Sequence, residues 1–562
     1  MAQAQQLPDE PVYEMWFDHA GGVNRWDTPF QQPNQAFEYY NAYIDRVARR
    51  ETRWGVTCLG GVIGQTPRGF GAYVSNSDTY MLVGIFGDKY YYSALDGTWT
   101  RGSTAISFSV TKSYGFVRGN FLDGGTTSTA CLYIYPYHGT SYTNQQPLTR
   151  TDWSSTAGQS TGLTLCPQAA CWWQNRLWVG NIRYPTTLGL DRNSLCWSDI
   201  GNGDVLSTDQ SIRIAPGDGD EITGLLPARS SDNSLYIFKK RSIWRLDVAW
   251  GTGVYLPVTE DNIDTTASRL NMVAEKVGCI APRTLCYVGS GREADVFFLS
   301  GDGVRSVRRV EQDVAGGAGD CVSKPIQDVM ARINWDYVYV ATACVYDNKY
   351  HLAVPLDDST TNNYVFVFDL IQKRWIGTYL WSVLDWTVVG SATAAGYWGG
   401  INLHFLTTQT YGTSPTFSYL SYQAYMPDSV QDVGYTDIRY SEFSRPLYFN
   451  DPTRTKRWDW AEWYYYPPAT DMTVSIYAAT DLYTGYGLIG HYVMSASATY
   501  AKNPADAPWT ATRYGIRSFR VPLQDVPHGR FLQLYLNAQG PARISIYGTK
   551  VAARYFNDLW TE

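Results

Sequence analysis

The chain has 562 residues, of which 44% are hydrophobic and 17% are charged, and its formal net charge is −7. This balance excludes a disordered chain, and the length exceeds what one ordinary core occupies, so two or three domains are expected. The modest negative charge excludes a basic field over the whole surface, of the kind that holds nucleic acid tightly.

Aromatic residues are unusually frequent, with 44 Tyr, 21 Trp and 20 Phe, and they accompany 50 Gly and 26 Pro. Aromatic side chains favour the pleated surface of a sheet, whereas Gly and Pro interrupt strands with turns. Long helical patterns are nearly absent. The composition therefore predicts an all-β protein made of many short strands.

The first 50 residues are polar and rich in Gln and Asn, with few alternating runs. Residues 1–10 lack the basic and apolar regions of a secretory signal, and no run of the chain approaches about 18 apolar residues, so neither a signal nor a membrane span is expected. We interpret residues 1–50 as an extended N-terminal arm that folds against a neighbouring protein.

Residues 51–435 carry a loosely repeated pattern of short strands. Its clearest unit has strands predicted at residues 335–346, 350–355, 364–369 and 374–379, which is the size of one propeller blade. A polar turn before a hydrophobic strand recurs upstream, at residues 88–92, 175–180, 233–238 and 295–299. This pattern predicts a β-propeller of five to eight blades, although a different β repeat stays open.

One short helix is predicted at residues 323–333. Ile326, Val329, Met330 and Ile333 follow the spacing of a helix that buries one face. Ser323 is expected to cap the free amides and Asp328 to lie at the positive end of the helix dipole. The apolar stripe is interpreted as core.

The character of the sequence changes near residue 436. Alternating runs follow at residues 458–466, 472–478, 516–521, 531–536 and 542–547, which predicts a separate antiparallel β-sandwich over residues 436–562.

The nine cysteines are scattered singly along the chain, and several lie in apolar strand-like runs: Cys58, Cys131, Cys166, Cys171, Cys196, Cys279, Cys286, Cys321 and Cys344. Their odd number and spacing favour buried free thiols over a disulfide framework. Assembly in a reducing cytoplasm fits this pattern.

The common catalytic signatures are missing from the sequence. There is no phosphate-binding loop and no nucleophile elbow, and Cys166 and Cys171 have no second pair at zinc-ribbon distance. None of the six histidines is paired at metal-ligand spacing: His19, His138, His351, His404, His491 and His528. We therefore assign no catalytic, cofactor-binding or metal-ligating residue and predict that the protein is not an enzyme.

Two oxygen-rich loops, at residues 199–204 and 218–221, have the composition of calcium-binding loops but not the spacing of an EF-hand. Turns at blade edges explain them better. A pair of carboxylates from distant blades that hydrolyses a glycoside is not ruled out, but nothing singles out such a pair.

Two further features each have a functional and a structural interpretation. Exposed Tyr and Trp residues can stack on sugars, although core or interface packing is the stronger explanation. The basic runs at residues 454–457 and at Arg305, Arg308 and Arg309 can touch phosphates or an acidic neighbouring subunit, but solvated turns are the stronger explanation.

Three groups of short motifs resemble one protein family. They are residues 21–30 (GGVNRWDTPF) with Asn41 and residues 53–55, residues 173–181 (WQNRLWVGN) with 195–199, and residues 278–283 (GCIAPR) with 299–306 and 323–326. Together they are similar to the tail nozzle, or tail tubular, proteins of short-tailed bacteriophages. The similarity spans roughly residues 20–380, and the C-terminal region is only loosely similar.

The resemblance implies a virion structural protein with a propeller, arranged as a homohexameric ring below the head–tail adaptor. Genomic DNA would be retained in the lumen and then ejected through it, without sequence-specific binding, and tail fibre or tip proteins would be further partners. The mildly acidic composition agrees with a conduit that does not hold its cargo. The alternatives are a glycan-binding tail protein used in adsorption and a propeller glycosidase acting on the host envelope.

Overall fold

The computed structural model describes residues 12–25, 36–45, 48–53, 55–58, 63, 65–74, 80–93, 99–102, 107–110, 112–123, 127–139, 148–151, 165–182, 191–228, 234–248, 268–289, 294–312, 321–390, 401–407, 420–426, 431–432, 436–449, 451–481, 485–496 and 516–555. Most described elements are strands that pair antiparallel. The predicted all-β class is confirmed.

Seven small sheets follow one another along the chain, each with its strands in sequence order apart from the last strand of sheet 7. Sheet 1 is Pro67–Val74, Tyr80–Phe86, Lys89–Ser93 and Thr100–Arg101; sheet 2 is Lys112–Asp123, Thr127–Gly139 and Thr149–Thr151; sheet 3 is Pro167–Trp173, Arg176–Ile182, Ser194–Asp199 and Asn202–Arg213. Sheet 4 is Ile222–Pro227, Ser234–Lys239, Ser242–Asp247 and Arg269–Glu275; sheet 5 is Cys286–Val288, Asp295–Ser300 and Gly303–Ser306. Sheet 6 is Thr342–Tyr346, Lys349–Val354, Tyr364–Asp369 and Arg374–Tyr379; sheet 7 is Val383–Gly390, Ile401–Thr407, Leu420–Met426 and Gly55–Cys58.

Consecutive sheets are neighbours in space, mainly through their first strands, and the first strand of sheet 7 packs against the first strand of sheet 1. Between sheets 4 and 5 the Tyr287 hydroxyl donates to the carbonyl of Pro227, and Phe238 and Phe298 pack in one buried cluster. The sheets therefore close a ring, which is the architecture of a β-propeller.

The ring is closed by hydrogen bonds between distant parts of the chain. Sheet 7 takes three strands from residues 383–426, and its fourth strand, Gly55–Cys58, comes from the start of the propeller. The two ends of the ring therefore share one sheet, and backbone hydrogen bonds hold the seam closed.

Tight hairpins have the backbone geometry that two-residue turns require. Asp347 and Asn348 have φ values of 47° and 55°, and Gln174 and Asn175 have φ values of 49° and 59°. Two consecutive positive φ angles give a turn whose twist matches that of the flanking strands. These turns fix the register of sheets 6 and 3.

The segment before sheet 6 corrects two predictions. Residues 335–340, predicted as strand, form the 3-10 helix Trp335–Val340, with Trp335 and Tyr337 exposed, so the strand begins only at Thr342. The predicted helix is the 3-10 turn Lys324–Ile326 followed by Gln327–Met330; a longer helix, Val307–Gln312, follows sheet 5. The apolar stripe predicted at Ile326, Val329, Met330 and Ile333 is buried. The Ser323 hydroxyl does not cap this helical turn; it accepts from the Val304 amide at 3.0 Å.

Two larger sheets combine strands from both ends of the chain. Sheet T1 continues from sheet 6 and contains Ala42–Ile44, Arg50–Thr52, Ser545–Tyr555, Lys456–Tyr465, Arg517–Pro522 and Tyr13–Phe17. Sheet T2 contains Ala36–Tyr40, Tyr440–Ser444, Leu532–Ala538, Met472–Thr480 and Gly487–Met494. The short ladder Gln431–Asp432 with Thr436–Asp437 precedes T2.

Burial alternates along the strands of T1 and T2, and their inward side chains share one core. Trp458 and Trp463 of T1 lie in the same buried cluster as Ile476 and Leu534 of T2. Alternation of this kind is typical of antiparallel sheets that bury one face.

The described part of the predicted N-terminal arm is built into these sheets, which corrects the interpretation of residues 1–50. Tyr13–Phe17 pairs with Ser545–Tyr555, and Ala36–Tyr40 pairs with Tyr440–Ser444. The partners lie hundreds of residues away, so the polar composition of the segment gave no local sign of them.

In the described residues, no helix is long and apolar enough to span a membrane.

Candidate functional site

A cavity of about 330 Å³ lies where the first strands of several sheets converge. Phe70 of sheet 1 and Tyr137 of sheet 2 line it, together with Arg283 at the start of sheet 5 and Asp385 and Trp386 of sheet 7. The centre of a propeller is a usual place for a ligand, because loops and strands from many blades meet there. The chemistry of this cavity therefore bears directly on function.

One ion pair dominates the cavity. The Arg283 guanidinium contacts the Asp385 carboxylate, and both side chains are largely buried. Arg283 also donates to the Tyr137 hydroxyl at 2.8 Å and to the carbonyl of Leu384 at 3.1 Å. The pair thus ties sheets 2, 5 and 7 together across the middle of the ring.

The carboxylate of Asp385 is fully occupied by these and other contacts. One oxygen accepts from the amide of Phe70 at 2.8 Å, and the other accepts from the amide of Trp386 at 2.7 Å. Asp385 is the one carboxylate among the described residues that line the cavity. An acid held by two amides and a guanidinium is stabilised as a carboxylate and suits bracing rather than proton transfer.

Aromatic and cationic groups complete the cavity. Burial raises the pKa of Tyr135 to about 12, so its hydroxyl stays protonated. Behind Trp386 lies His351, with 6.0 Å between the ring centroids, and burial together with Lys349 lowers the pKa of that imidazole to about 3. Arg118 is exposed at the cavity and makes no ion pair or hydrogen bond within the described parts of the chain.

Two of the three motif groups that carry the family resemblance meet in space, whereas residues 173–181 and 195–199 lie in sheet 3 and residues 26–30 lie outside the described residues. The Arg25 amide donates to the Pro325 carbonyl at 2.7 Å, and the Arg25 guanidinium pairs with Asp328 at 2.6 Å. The Val23 amide donates to the Trp375 carbonyl at 2.9 Å. The N-terminal motif is therefore bonded to the motif at residues 323–326 and to the end of sheet 6.

The other motif residues extend the same junction. The Ile280 amide donates to the Leu299 carbonyl at 3.1 Å. At Gly303 the φ angle is +131°, and a Cβ atom there would lie 2.2 Å from the Ser323 hydroxyl oxygen, so this position requires glycine. Asn41 accepts from Arg53 Nε at 2.9 Å. Residues 23–25, 303–304 and 323–325 thus form one bonded junction between the propeller and the terminal sheets.

The two acidic loops use their carboxylates within the protein. Asp218 pairs with Lys239, and Asp220 accepts from the amides of Glu221 and Arg241 at 2.9 and 3.0 Å. Asp199 accepts from Gln210, and Asp204 pairs with Arg150 at 3.1 Å. These contacts fit turns rather than a calcium site. In the described residues, no three His, Cys, Asp or Glu side chains come together as metal ligands.

The basic run at residues 454–457 does not form a patch. Lys456 is buried and donates from Nζ to the carbonyl oxygens of Arg454 and Arg530 at 2.8 and 2.9 Å, whereas Arg454 and Arg457 are exposed. Arg305 is buried in an ion pair with Asp302, so it is not free for phosphate, while Arg308 and Arg309 are exposed on the helix Val307–Gln312. Each of the two basic runs predicted from the sequence therefore contains one buried cation, Lys456 or Arg305, beside exposed arginines.

Most large aromatic residues pack inside the protein, as the sequence indicated. Trp178, Trp375, Trp381, Trp458 and Trp463 are among the largest buried side chains. Trp16 and Tyr547 are exceptions, since each is 42% exposed on the outer side of sheet T1. The cysteines whose side chains are described are free thiols, and most of them are buried.

The central ion pair and the junction were missed by sequence reasoning. Arg283 was noted only as the last residue of the motif at 278–283, and Asp385 was not singled out. The two residues belong to different blades, and no local pattern marks their contact.

Comparisons with known proteins give one distant structural similarity. No family model matches the chain, and no curated protein matches it. Among solved structures, a catalytically inactive variant of virginiamycin B lyase from Staphylococcus aureus, crystallised with quinupristin, is similar to this chain. The match covers 66% of this chain and 100% of that one, with 9% identity and a TM-score of 0.36. A similarity of this size carries no argument about activity.

Proposed function

We propose that the chain is a non-enzymatic virion protein that forms the tail nozzle or tail tube of a short-tailed bacteriophage. Six copies form a ring below the head–tail adaptor, and genomic DNA is retained in the lumen of that ring until it is ejected. The lumen lies between subunits and is distinct from the cavity inside each propeller. Tail fibre or tip proteins bind the same ring, which assembles in the host cytoplasm.

The contact between two of the three groups of resemblance motifs, those at residues 21–25 and at residues 299–306 with 323–326, is the observation that carries this proposal. Short motifs found in order along a sequence can arise by chance, but Arg25, Ser323 and Gly303 belong to one bonded framework. Residues in contact at a junction limit which side chains each position can hold. Motifs that meet in this way therefore support the idea that the resemblance reflects a shared architecture.

The state of the central cavity supports a structural role over a glycosidase. Glycoside hydrolysis uses two carboxylates on either side of the bond that breaks. Asp385 stands alone among the described lining residues, and its oxygens are held by Arg283 and the amides of Phe70 and Trp386. This arrangement stiffens the ring, and the described residues that line its centre supply no acid–base pair of carboxylates.

Free thiols support assembly in a reducing compartment. Burial raises the pKa of Cys196 and Cys279 to about 12, so neither thiol ionises readily to form a disulfide. Stability then comes from packing and from buried ion pairs, which a cytoplasmic assembly can use.

The test is the oligomeric state of the purified full-length chain, alone and with the head–tail adaptor of the same phage. Mass photometry should give particles of six times the chain mass of 63.2 kDa, and negative-stain images should show rings with sixfold symmetry. A chain that stays monomeric in the presence of the adaptor would contradict the proposal. Release of reducing sugar from host envelope by the purified chain would favour the glycosidase instead.

A further inference from the structure

The outer side of sheet T1 carries a group of aromatic side chains, which we call the aromatic face: Trp16, Trp460, Tyr464 and Tyr547. The ring centroid of Trp16 lies 5.1 Å from that of Tyr464 and 6.1 Å from that of Tyr547. Trp16 and Tyr547 are each 42% exposed. Single exposed aromatic side chains are common, but a contiguous group of them on one sheet face is typical of an interaction site.

Gly548 determines the position of the Trp16 ring. A Cβ atom at Gly548 would lie 2.2 Å from the nearest indole atom, so the ring occupies the space above the glycine backbone. Any larger residue at this position would displace the indole from the sheet. The ring is therefore held in one place while part of its surface faces solvent.

Charged groups of both signs surround the aromatic face. Lys550, opposite Trp16 in the sheet, pairs with Glu14. The Arg520 guanidinium lies 4.0 Å from the Trp460 ring centroid and 3.0 Å from Glu462, which also accepts from the Tyr464 hydroxyl at 3.2 Å. The face thus offers carboxylate acceptors and cationic donors beside an exposed ring.

This combination matches the chemistry of a pyranose. One side of a sugar ring presents C–H groups that pack on an aromatic face, and its hydroxyls both donate to carboxylates and accept from Arg or Lys. Nucleic acid fits less well, because Lys550 and Arg520 are already paired with Glu14 and Glu462, so these ion pairs offer no net positive charge to phosphates. We propose that the aromatic face binds hexopyranose units of a polysaccharide, with Trp16 as the stacking platform. This activity goes beyond the tail-ring role and does not depend on it.

The experiment compares full-length variants on an array of bacterial surface polysaccharides, with a twenty-residue oligo(dT) as a second probe. Trp16→Ala removes the platform, Gly548→Ala displaces it without removing the indole, and Tyr547→Ala removes its exposed neighbour. Trp335→Ala is the matched control, because Trp335 is 36% exposed and lies outside T1. Circular dichroism and native mass are measured for every variant.

The wild-type chain should bind at least one polysaccharide, and Trp16→Ala and Gly548→Ala should weaken that binding about tenfold, the size of one lost aromatic stack. Trp335→Ala should bind like the wild type. Four results would overturn the proposal: no polysaccharide bound by the folded wild type, equal binding by folded Trp16 and Tyr547 variants, binding of oligo(dT) instead, or a changed native mass in Trp16→Ala, which would make the face a contact between copies.

Discussion

Arg25 and Asp328, which are 303 residues apart in the chain, form an ion pair with 2.6 Å between Nε and Oδ2. The same guanidinium lies 2.6 Å from the Glu38 carboxylate, and the backbone amide of Arg25 donates to the carbonyl of Pro325. One side chain therefore joins the N-terminal segment, sheet T2 and the helical turn that precedes sheet 6. Contacts of this kind connect the propeller to the terminal sheets.

The Arg25 junction should contribute measurably to stability. Arg25→Ala leaves the largely buried Glu38 carboxylate without its cation, so we expect a loss of about 1–3 kcal/mol in the free energy of unfolding. Arg332→Ala is the control, because its ion pair with Asp357 is solvent-exposed and should be worth at most about 1 kcal/mol. Urea denaturation followed by tryptophan fluorescence measures both. Equal losses of stability in the two variants would contradict the expected contribution of the Arg25 junction.

A buried ion pair links sheets T1 and T2. Arg50 is fully buried and lies 2.9 Å from Glu442, which also accepts from Tyr440 at 2.6 Å. Arg50→Met leaves an unpaired buried carboxylate, so we expect a loss of about 3–5 kcal/mol. The double substitution Arg50→Met with Glu442→Leu should recover most of that loss, because neither charge remains. A double variant as unstable as the single one would contradict this view.

Three of the described histidines, His19, His351 and His404, are buried with a lowered pKa, which should make the protein sensitive to acid. Burial lowers the pKa of His404 to about 4, and burial and Lys349 lower that of His351 to about 3. Between pH 6.5 and these values the unfolded chain binds a proton that the folded chain does not, so stability falls as pH falls. Each histidine costs about 1.4 kcal/mol per pH unit in that window.

The matching measurement is the denaturation midpoint between pH 7 and pH 4.5 for His404→Phe and for His491→Gln, whose side chain is exposed. His404→Phe should lose less stability on acidification than the wild type, whereas His491→Gln should follow the wild type. The interpretation fails if all three proteins lose stability in parallel.

The buried cysteines should resist thiol reagents while the protein is folded. Burial raises the pKa of Cys196 and Cys279 to about 12 and also raises those of Cys171 and Cys344. These residues should stay unlabelled by Ellman's reagent at pH 8 and become labelled in guanidinium chloride. Peptide mapping identifies which sites react. Labelling of Cys279 or Cys344 under native conditions would contradict the described core.

Local patterns were sufficient to predict the strands and turns of the clearest blade. Tyr364–Asp369 and Arg374–Tyr379 begin and end where their alternation and flanking turns place them. The turn at Asp347 and Asn348 was likewise visible, because polar residues that tolerate positive φ separate two hydrophobic runs. These signals lie within a few residues of the element they describe.

The contacts that join distant segments were not predictable. Arg50 and Glu442 are 392 residues apart, and the central pair of Arg283 and Asp385 joins different blades. Short-range alternation also misled at residues 454–458. Lys456 and Trp458 share the inward side of one strand, so the cation that looked exposed is buried against carbonyl oxygens.

The most direct test of the tail-ring role is immunogold electron microscopy of phage particles that encode this chain, with an antibody raised against the purified protein. Gold should label the tail immediately below the head at one fixed position, on intact particles. Particles without label, or label confined to the head or to material outside the virion, would contradict the account.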